Sequence, residues 1–324
     1  MRILLWHVHG TWTTSFVQGP HKYLLPVTPD RDGDGLGRAR SWEWPASAAE
    51  VPVERLRDTD VDLVLLQRPH ERDLAERWTG RRPGRDVAAV YLEHNTPGGE
   101  VPYTRHPMAD QDEIPVVHVT HFNRLFWDCG TARTAVVEHG IVDPGPLYSG
   151  DLARAAVVVN DPVRRGRAVG TDLLPGLAAT APLDVFGMRT DGLGAVLGLS
   201  EDRLRTFDLP QDRLHRELAR RRVYVHPCRW TSLGLSLLEA MHLGVPVVSL
   251  GTTEAAAAVP EGAGVVTNRP DELAAAVRRF LDDPAEARAV GAAGREAVLA
   301  RYGLQRFLDD WDALLGTWVP AAAS

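Results

Sequence analysis

Cysteine, methionine and aromatic side chains are scarce in this 324-residue chain: two Cys, four Met and 7% aromatics. The two cysteines, Cys129 and Cys228, form no CxxC pair, so neither a thiolate metal cluster nor a disulfide scaffold is expected, and a reducing compartment is. No run approaches the ~18 consecutive apolar residues of a membrane span. The opening MRILLWHVHG lacks the long apolar stretch and small-residue cleavage site of a secretory signal, so the expected location is cytoplasmic. Excess positive charge is missing as well. Lys and Arg number 36 against 43 Asp and Glu, a net charge of −7, and no nucleic-acid partner is expected. No repeat recurs at a spacing of roughly 20–50 residues, which excludes a solenoid.

What is present is an ordinary globular balance, 44% hydrophobic and 24% charged. The length suits two domains or one large barrel. Short runs rich in Val, Leu and Ile recur, with helix-like stretches between many of them: Arg2–Val8, Asp62–Gln67, Val87–Glu93, Val116–Thr120 and Ala135–Val137, then Ala156–Asn160, Leu183–Phe186, Val223–His226 and Val245–Leu250. They alternate poorly, as strands buried on both faces of a parallel sheet do, and the interleaving predicts an α/β fold. The segment DPGPLYSGDLAR, Asp143–Arg154, reads as a linker between two such sheets. Nine of the twelve histidines lie before residue 150, while the second half holds the Ala-rich helical stretches Asp271–Asp283 and Ala285–Tyr302. In doubly wound sheets ligands sit beyond the carboxyl ends of strands, so residues just after strands are the site candidates.

The segment HPCRWTSLGLSLLEAMHLGVPVVSL, His226–Leu250, is the most informative. A strand ends at His226, and a loop with Thr231, Ser232, Leu233, Gly234 and Leu235 leads into a helix over roughly Ser236–Leu243. Thr231 or Ser232 is the expected N-cap, and Gly244 the left-handed residue that ends the helix. Free N–H groups and a positive dipole end at such a loop suit a diphosphate. Glu239, one turn inside, is placed to accept hydrogen bonds from a vicinal diol such as a ribose, with a solvated helix face as the alternative.

EAMHLGVPVV resembles the carboxyl-terminal donor site of retaining family 4 glycosyltransferases: Glu239, Ala240, Met241, Gly244, Pro246, Val247 and Val248 match the later half of the family pattern. The downstream helices resemble the family in order and length. The resemblance implies a GT-B fold, two Rossmann-like domains with parallel sheets facing a central cleft. The expected domains are 1–146 on the acceptor side, with the C-terminal segment 304–324 crossing back, and 147–303 for the nucleotide sugar. It also implies transfer of a sugar from a nucleotide-diphosphate sugar (UDP, GDP or dTDP) to an acceptor with retention of configuration. The expected acceptor is a small molecule, glycan or lipid, and because no metal-ligand set is evident no metal or cofactor is expected. Thr231 stands where the family carries its first Glu, eight positions before Glu239. That departure keeps a second reading open, a degenerate GT-B partner subunit that does not turn over.

The resemblance assigns further residues. Arg164, Arg165 and Arg167 follow a buried strand and are the available cations against the diphosphate, Arg165 first and Arg164 second; a solvated basic loop is the alternative. Leu183–Gly187 and Asp208–Pro210 are expected to flank the base. His94, at the end of VAAVYLEH, matches the family histidine that contacts the donor sugar, with a histidine satisfied by backbone at a strand end as the alternative. The stretch HGTWTTSFVQGPHKY stands where the family has a glycine-rich loop, and Gly10 is its candidate for close approach to an anion.

Other features carry their own readings. Trp12, Trp42 and Trp44 suit either stacking on an acceptor or, more commonly, a buried core. The basic loop with Arg81, Arg82 and Arg85 is expected to be a solvated face, with weak contact to an anionic membrane as the alternative. His7-Val8-His9 suggests a third, less favoured function: a metal-dependent hydrolase of the amidohydrolase barrel kind, with His94, His118 and His121 as further ligands. Both a monomer and a homo-oligomer are compatible with the sequence.

Overall fold

The computed structural model describes residues 1–319. The chain divides into two compact units. Unit 1 is Met1–Val142 with the C-terminal segment from Leu304, and unit 2 is Asp143–Gly303. The division falls after Val142, where the sequence reading set it after Pro146. Residues 320–324 of the expected 304–324 segment lie outside the described residues.

Unit 1 contains β1 (Arg2–Leu5), β2 (Lys22–Val27), β3 (Ala48–Pro52), β4 (Leu63–Leu66), β5 (Ala88–Glu93), β6 (Val116–His118) and β7 (Thr134–Val136). They form one seven-stranded sheet in the order β3-β2-β1-β4-β5-β6-β7. Unit 2 contains β8 (Leu152–Val158), β9 (Leu183–Phe186), β10 (Leu204–Phe207), β11 (Arg221–His226), β12 (Val247–Ser249) and β13 (Gly264–Val266). Their order is β10-β9-β8-β11-β12-β13. Every pair of neighbouring strands runs parallel. Parallel strands need crossovers, and helices on both faces bury them throughout. All four residues of β4, Leu63, Val64, Leu65 and Leu66, are accordingly buried.

Two open sheets exclude the barrel, and with it the amidohydrolase-type reading of the His7/His9 pair. Other expectations need correction. The first strand stops at Leu5 rather than Val8, and Gly10–Phe16 is a short helix, not a loop. GTWTTSF has low helix propensity, but Trp12, Thr13, Thr14, Ser15 and Phe16 are all buried, and that packing prevails. The expected linker gives way to β8 at Leu152. Strands β2, β3, β10 and β13 were absent from the sequence reading. β2 carries Pro26, and the others have only three to five residues.

The last helix, Leu304–Trp318, packs within unit 1. Trp311 lies edge-on to Trp12 and Phe16, with ring centroids 5.8 and 5.1 Å apart. Arg306 donates to the carbonyls of Glu138 and His139, and a Cβ on Gly140 would collide with the Phe307 ring. Unit 2 is held differently. Asp184 on β9 is buried between Arg154 of β8 (2.6 Å) and Arg221 of β11 (2.7 Å). The Arg221 guanidinium also lies over Phe186 and Phe207. A carboxylate removed from water is stable here because both oxygens are matched by cations.

Candidate functional site

Strand order reverses between β8 and β11 in unit 2, and between β1 and β4 in unit 1. The carboxyl ends of those strands are where a doubly wound sheet offers a ligand crevice.

In unit 2 the chain leaves β11 at His226 and enters the helix Leu235–Leu243. Gly234 is its N-cap, and no side chain caps it. The expected Thr231 or Ser232 cap is corrected: the helix begins too far beyond either residue. Ser232 and Leu233 are buried, while Thr231 and Leu235 are half-buried. A Cβ on Gly234 would fall on the His226 ring, so glycine allows the loop to lie directly over the strand end. Burial pushes the His226 imidazole down to about 4, so it is neutral at pH 7. The helix ends at Gly244 with φ 83°, as the sequence indicates.

Glu239 is buried, not on a solvated face. Its Oε1 accepts from Gln211 Nε2 at 3.0 Å, and His215 Nε2 lies 3.8 Å from its Oε2. Gln211 and His215 sit four apart on the helix Gln211–Arg220, hence on one face. The sequence reading missed both. Their i,i+4 spacing after β10 was the available signal.

The loop after β8 places the three candidate arginines differently. Arg164 is bonded to Asp161, which also meets Arg189 at 3.3 Å. Arg167 is paired with Asp172 at 2.7 Å, and Asp172 is also held by Arg229 at 2.5 Å. The bonded arginines hold both aspartate carboxyls below the usual range. Among the described residues, Arg165 makes no ion pair. It is exposed, and its charge acts on the buried Cys228 thiol, which burial pushes up to about 11. Lys22 is the chain's single lysine and lies in β2, so cations for an anion in unit 2 must be arginines. The two loops are joined: the backbone N–H groups of Arg229 and Trp230 donate to the Ala168 carbonyl at 2.8 and 3.1 Å.

In unit 1 the strand ends gather histidines. His94 follows β5 and is buried, its ring centroid 3.9 Å from that of His9 and 6.3 Å from that of His139. Trp12 stands edge-on to it at 5.3 Å. Burial is the main cause that lowers all three imidazoles, His94 well below its ordinary value, His9 to about 4 and His139 to about 3. The second cause is positive charge nearby, Arg68 for His9, and for His94 the charge that His9 and His139 would carry once protonated. His94 Nε2 lies 3.1 Å from Gln67 Oε1. Gln67, the first residue after β4, escaped the sequence reading although it obeys the strand-end rule. Gly10 opens the helix Gly10–Phe16, with the Trp42 indole 3.5 Å from where its Cβ would lie.

The remaining candidates are placed as follows. Trp12 is fully buried, and Trp44 is buried with its indole N–H on Thr14 Oγ1 at 2.8 Å, so both are core and not stacking platforms. Trp42 is half-buried. His7 packs on Trp44, whereas His9 faces His94, so the pair diverges. His118 is buried beside Cys129, and His121 is exposed. Among the described residues no group of three His, Cys, Asp or Glu is arranged to hold a metal ion. In the basic loop Arg82 pairs with Asp86 and Arg85 with Glu113, which leaves little net charge for a membrane surface. No helix of the described residues is long and apolar enough to cross a membrane.

Comparison with known proteins places this architecture. The chain aligns with the sucrose-phosphate synthase (tll1590) of Thermosynechococcus elongatus over 98% of both chains, at TM-score 0.70 and 17% identity. It aligns with Anabaena Alr3699/HepE, solved in complex with UDP-glucose, over 98% of this chain and 100% of that one, at TM-score 0.72 and 15% identity. A mutant S. aureus TarM, in complex with fondaparinux, alpha-GlcNAc-glycerol and UDP, matches at TM-score 0.62 and 12% identity, over 78% of this chain and 55% of that one. The fold is therefore GT-B, with one seven-stranded and one six-stranded parallel α/β domain. Residues 195–297, which include Glu239 and its helix, match the family described as Glycosyl transferases group 1. These findings together support a GT-B glycosyltransferase. No curated protein matches the chain.

Proposed function

We propose that the protein is a glycosyltransferase that moves a sugar from a nucleotide-diphosphate sugar to a glycan, lipid or small-molecule acceptor with retention of configuration. One observation carries this: a buried carboxylate, Glu239, is fixed by Gln211 one turn inside a helix without a side-chain cap at the switch point of unit 2. Glu239 accepts the ribose hydroxyls. The amides around Ser232–Leu235 and the Arg165 guanidinium stabilise the diphosphate as it leaves, with Arg164 and Arg167 behind their carboxylate partners. The departing phosphate oxygen takes the acceptor's proton on the sugar face it vacates, so configuration is kept without a dedicated protein base. His94 contacts the sugar, and Gly10 opens the segment that approaches the acceptor. The same reading carries the cytoplasmic location expected from the sequence.

Calorimetric titration with UDP, GDP, dTDP and ADP tests the pocket. One nucleotide binds wild type, and Glu239→Ala weakens it ~100-fold, the loss of about 3 kcal/mol expected for two charge-assisted hydrogen bonds. Equal affinity in both proteins would remove Glu239 from the site. The anomeric proton coupling of the product, read by NMR, decides retention. Thr231, half-buried and uncharged, favours the second reading of a nucleotide-binding partner without turnover. Donor turnover by the isolated chain eliminates that reading.

A further inference from the structure

We propose that Gln67 is a positioning residue that fixes the His94 ring as its Nε2–H tautomer and so leaves Nδ1 as the acceptor for a hydroxyl of the donor sugar. This rests on the reading of His94 as a sugar-contacting residue. The argument begins with Trp6. Its backbone carbonyl only accepts, and the Gln67 side chain meets it through Nε2 at 2.8 Å. That bond fixes which end of the amide is which. The other end, Oε1, then faces His94 Nε2 at 3.1 Å. Two acceptors cannot share a hydrogen bond, so the proton resides on the ring nitrogen.

The amide has little freedom to turn. Gln67 is 2% exposed, its backbone N–H donates to Glu71 Oε2 at 2.6 Å, and Tyr91 Oη donates to its carbonyl at 3.4 Å. The three links thus tie the ends of β1, β4 and β5 together. The ring is confined as well, between His9 and His139 with Trp12 at its edge. The titratable and charged groups around it are His9 after β1, His139 after β7, Arg68 beside His9 and Arg306 beside His139. None of them brings negative charge, and burial opposes a second proton. A neutral ring with its hydrogen on Nε2 has its lone pair on Nδ1. A carboxylate at position 67 would hold the same ring but favour the doubly protonated form, which has no acceptor.

Long-range 1H–15N correlation spectra of the full-length 15N-labelled chain test this, with His94 assigned by its absence from His94→Gln. Wild type shows the Nε2–H neutral pattern at pH 7, and an Nδ1–H pattern overturns the proposal without any variant. In Gln67→Glu the His94 titration moves up by about 1 pH unit or more, and an unmoved titration overturns it. Gln67→Leu gives a mixture of tautomers. On addition of UDP-glucose to wild type the Nδ1 resonance shifts, and on addition of UDP alone it does not. Identical responses to the two would deny the sugar contact. Failure of UDP-, GDP- and dTDP-glucose alike to bind would sink the glycosyltransferase reading, whereas the ligand-free tautomer pattern judges Gln67 separately.

Discussion

The two units share the same strand order over six strands, with a seventh added in unit 1, and differ in what surrounds their strand ends. Unit 1 is filled with aromatic rings and neutral imidazoles: Trp12, Phe16, Trp311, His9, His94 and His139 interlock through ring contacts. Unit 2 is held by arginines matched to carboxylates, Asp184 within its sheet and Asp161 and Asp172 at its loops. The difference suits two tasks. On the proposed function, neutral imidazoles would offer hydrogen bonds to uncharged hydroxyls, whereas arginines would answer phosphate charge. A doubly wound sheet thus leaves the chemistry at its strand ends free to diverge while the strand order stays the same.

Removing one keystone from each unit breaks the comparison most sharply. Trp12→Ala costs about 3–5 kcal/mol through the cavity it opens in unit 1. Asp184→Ala costs a similar amount, about 3 kcal/mol, by removing the carboxylate that the buried Arg221 and the half-buried Arg154 share in unit 2, Arg221 keeping only Glu217. Trp230 is the only tryptophan of unit 2, so tryptophan fluorescence follows unit 1 and far-ultraviolet dichroism follows both. The two variants must melt with opposite order of these signals; the same order in both would show that the units unfold as one.

Acid separates the units next. The depressed histidines lie mostly in unit 1 (His7, His9, His21, His94, His118 and His139), against His226 and His242 in unit 2. A folded-state value below the unfolded one near 6.5 means that the unfolded chain takes up protons first as pH falls. The stability is whole above about pH 7 and declines through 6.5 toward 4, by up to about 1.4 kcal/mol per pH unit for each deeply buried histidine. Denaturation followed by tryptophan fluorescence therefore loses its midpoint steadily between pH 7 and 5. A flat profile would mean that the imidazoles are solvated.

Within unit 2 a smaller contrast sharpens the phosphate reading. Arg165→Ala lowers nucleotide-diphosphate affinity ~10-fold, about 1.4 kcal/mol, while Arg164→Ala, whose guanidinium already serves Asp161, changes it less. Calorimetric titration that ranks Arg164 first would reverse the assignment. The smallest effect is expected at Gly244→Ala, about 1 kcal/mol from an alanine forced to φ 83°. Thermal melting checks it, and no loss would show that the turn re-forms.

What could be read from the sequence differed between the units for physical reasons. Glu239, Gly244 and the helix between them were legible because a buried helix closed by glycine and Val-Pro leaves its signs in neighbouring residues. The strands rich in Val, Leu and Ile were legible from their apolar runs, whereas β2, with Pro26 in its run, was not. Gly10–Phe16 was not, because its helix is imposed by burial against Trp311 and the rest of unit 1, far away in sequence. Gln67 and Gln211 carry only weak local signals, a strand-end position and an i,i+4 spacing, because an amide's role lies in the partner it meets across the fold, His94 or Glu239. The ion pairs of Arg164 with Asp161 and of Arg167 with Asp172 are long-range or loop contacts that the sequence alone does not show.

The helix Leu304–Trp318 completes unit 1 from the far end of the sequence. A ribosome therefore delivers the second unit whole, as one contiguous stretch, before the first has received Phe307 and Trp311. The part made first finishes last. A chain stopped at Gly303 should leave Trp12 open to quenchers while Asp143–Gly303 already resists protease, and a protected Trp12 in that chain would show that the amino-terminal unit does not wait.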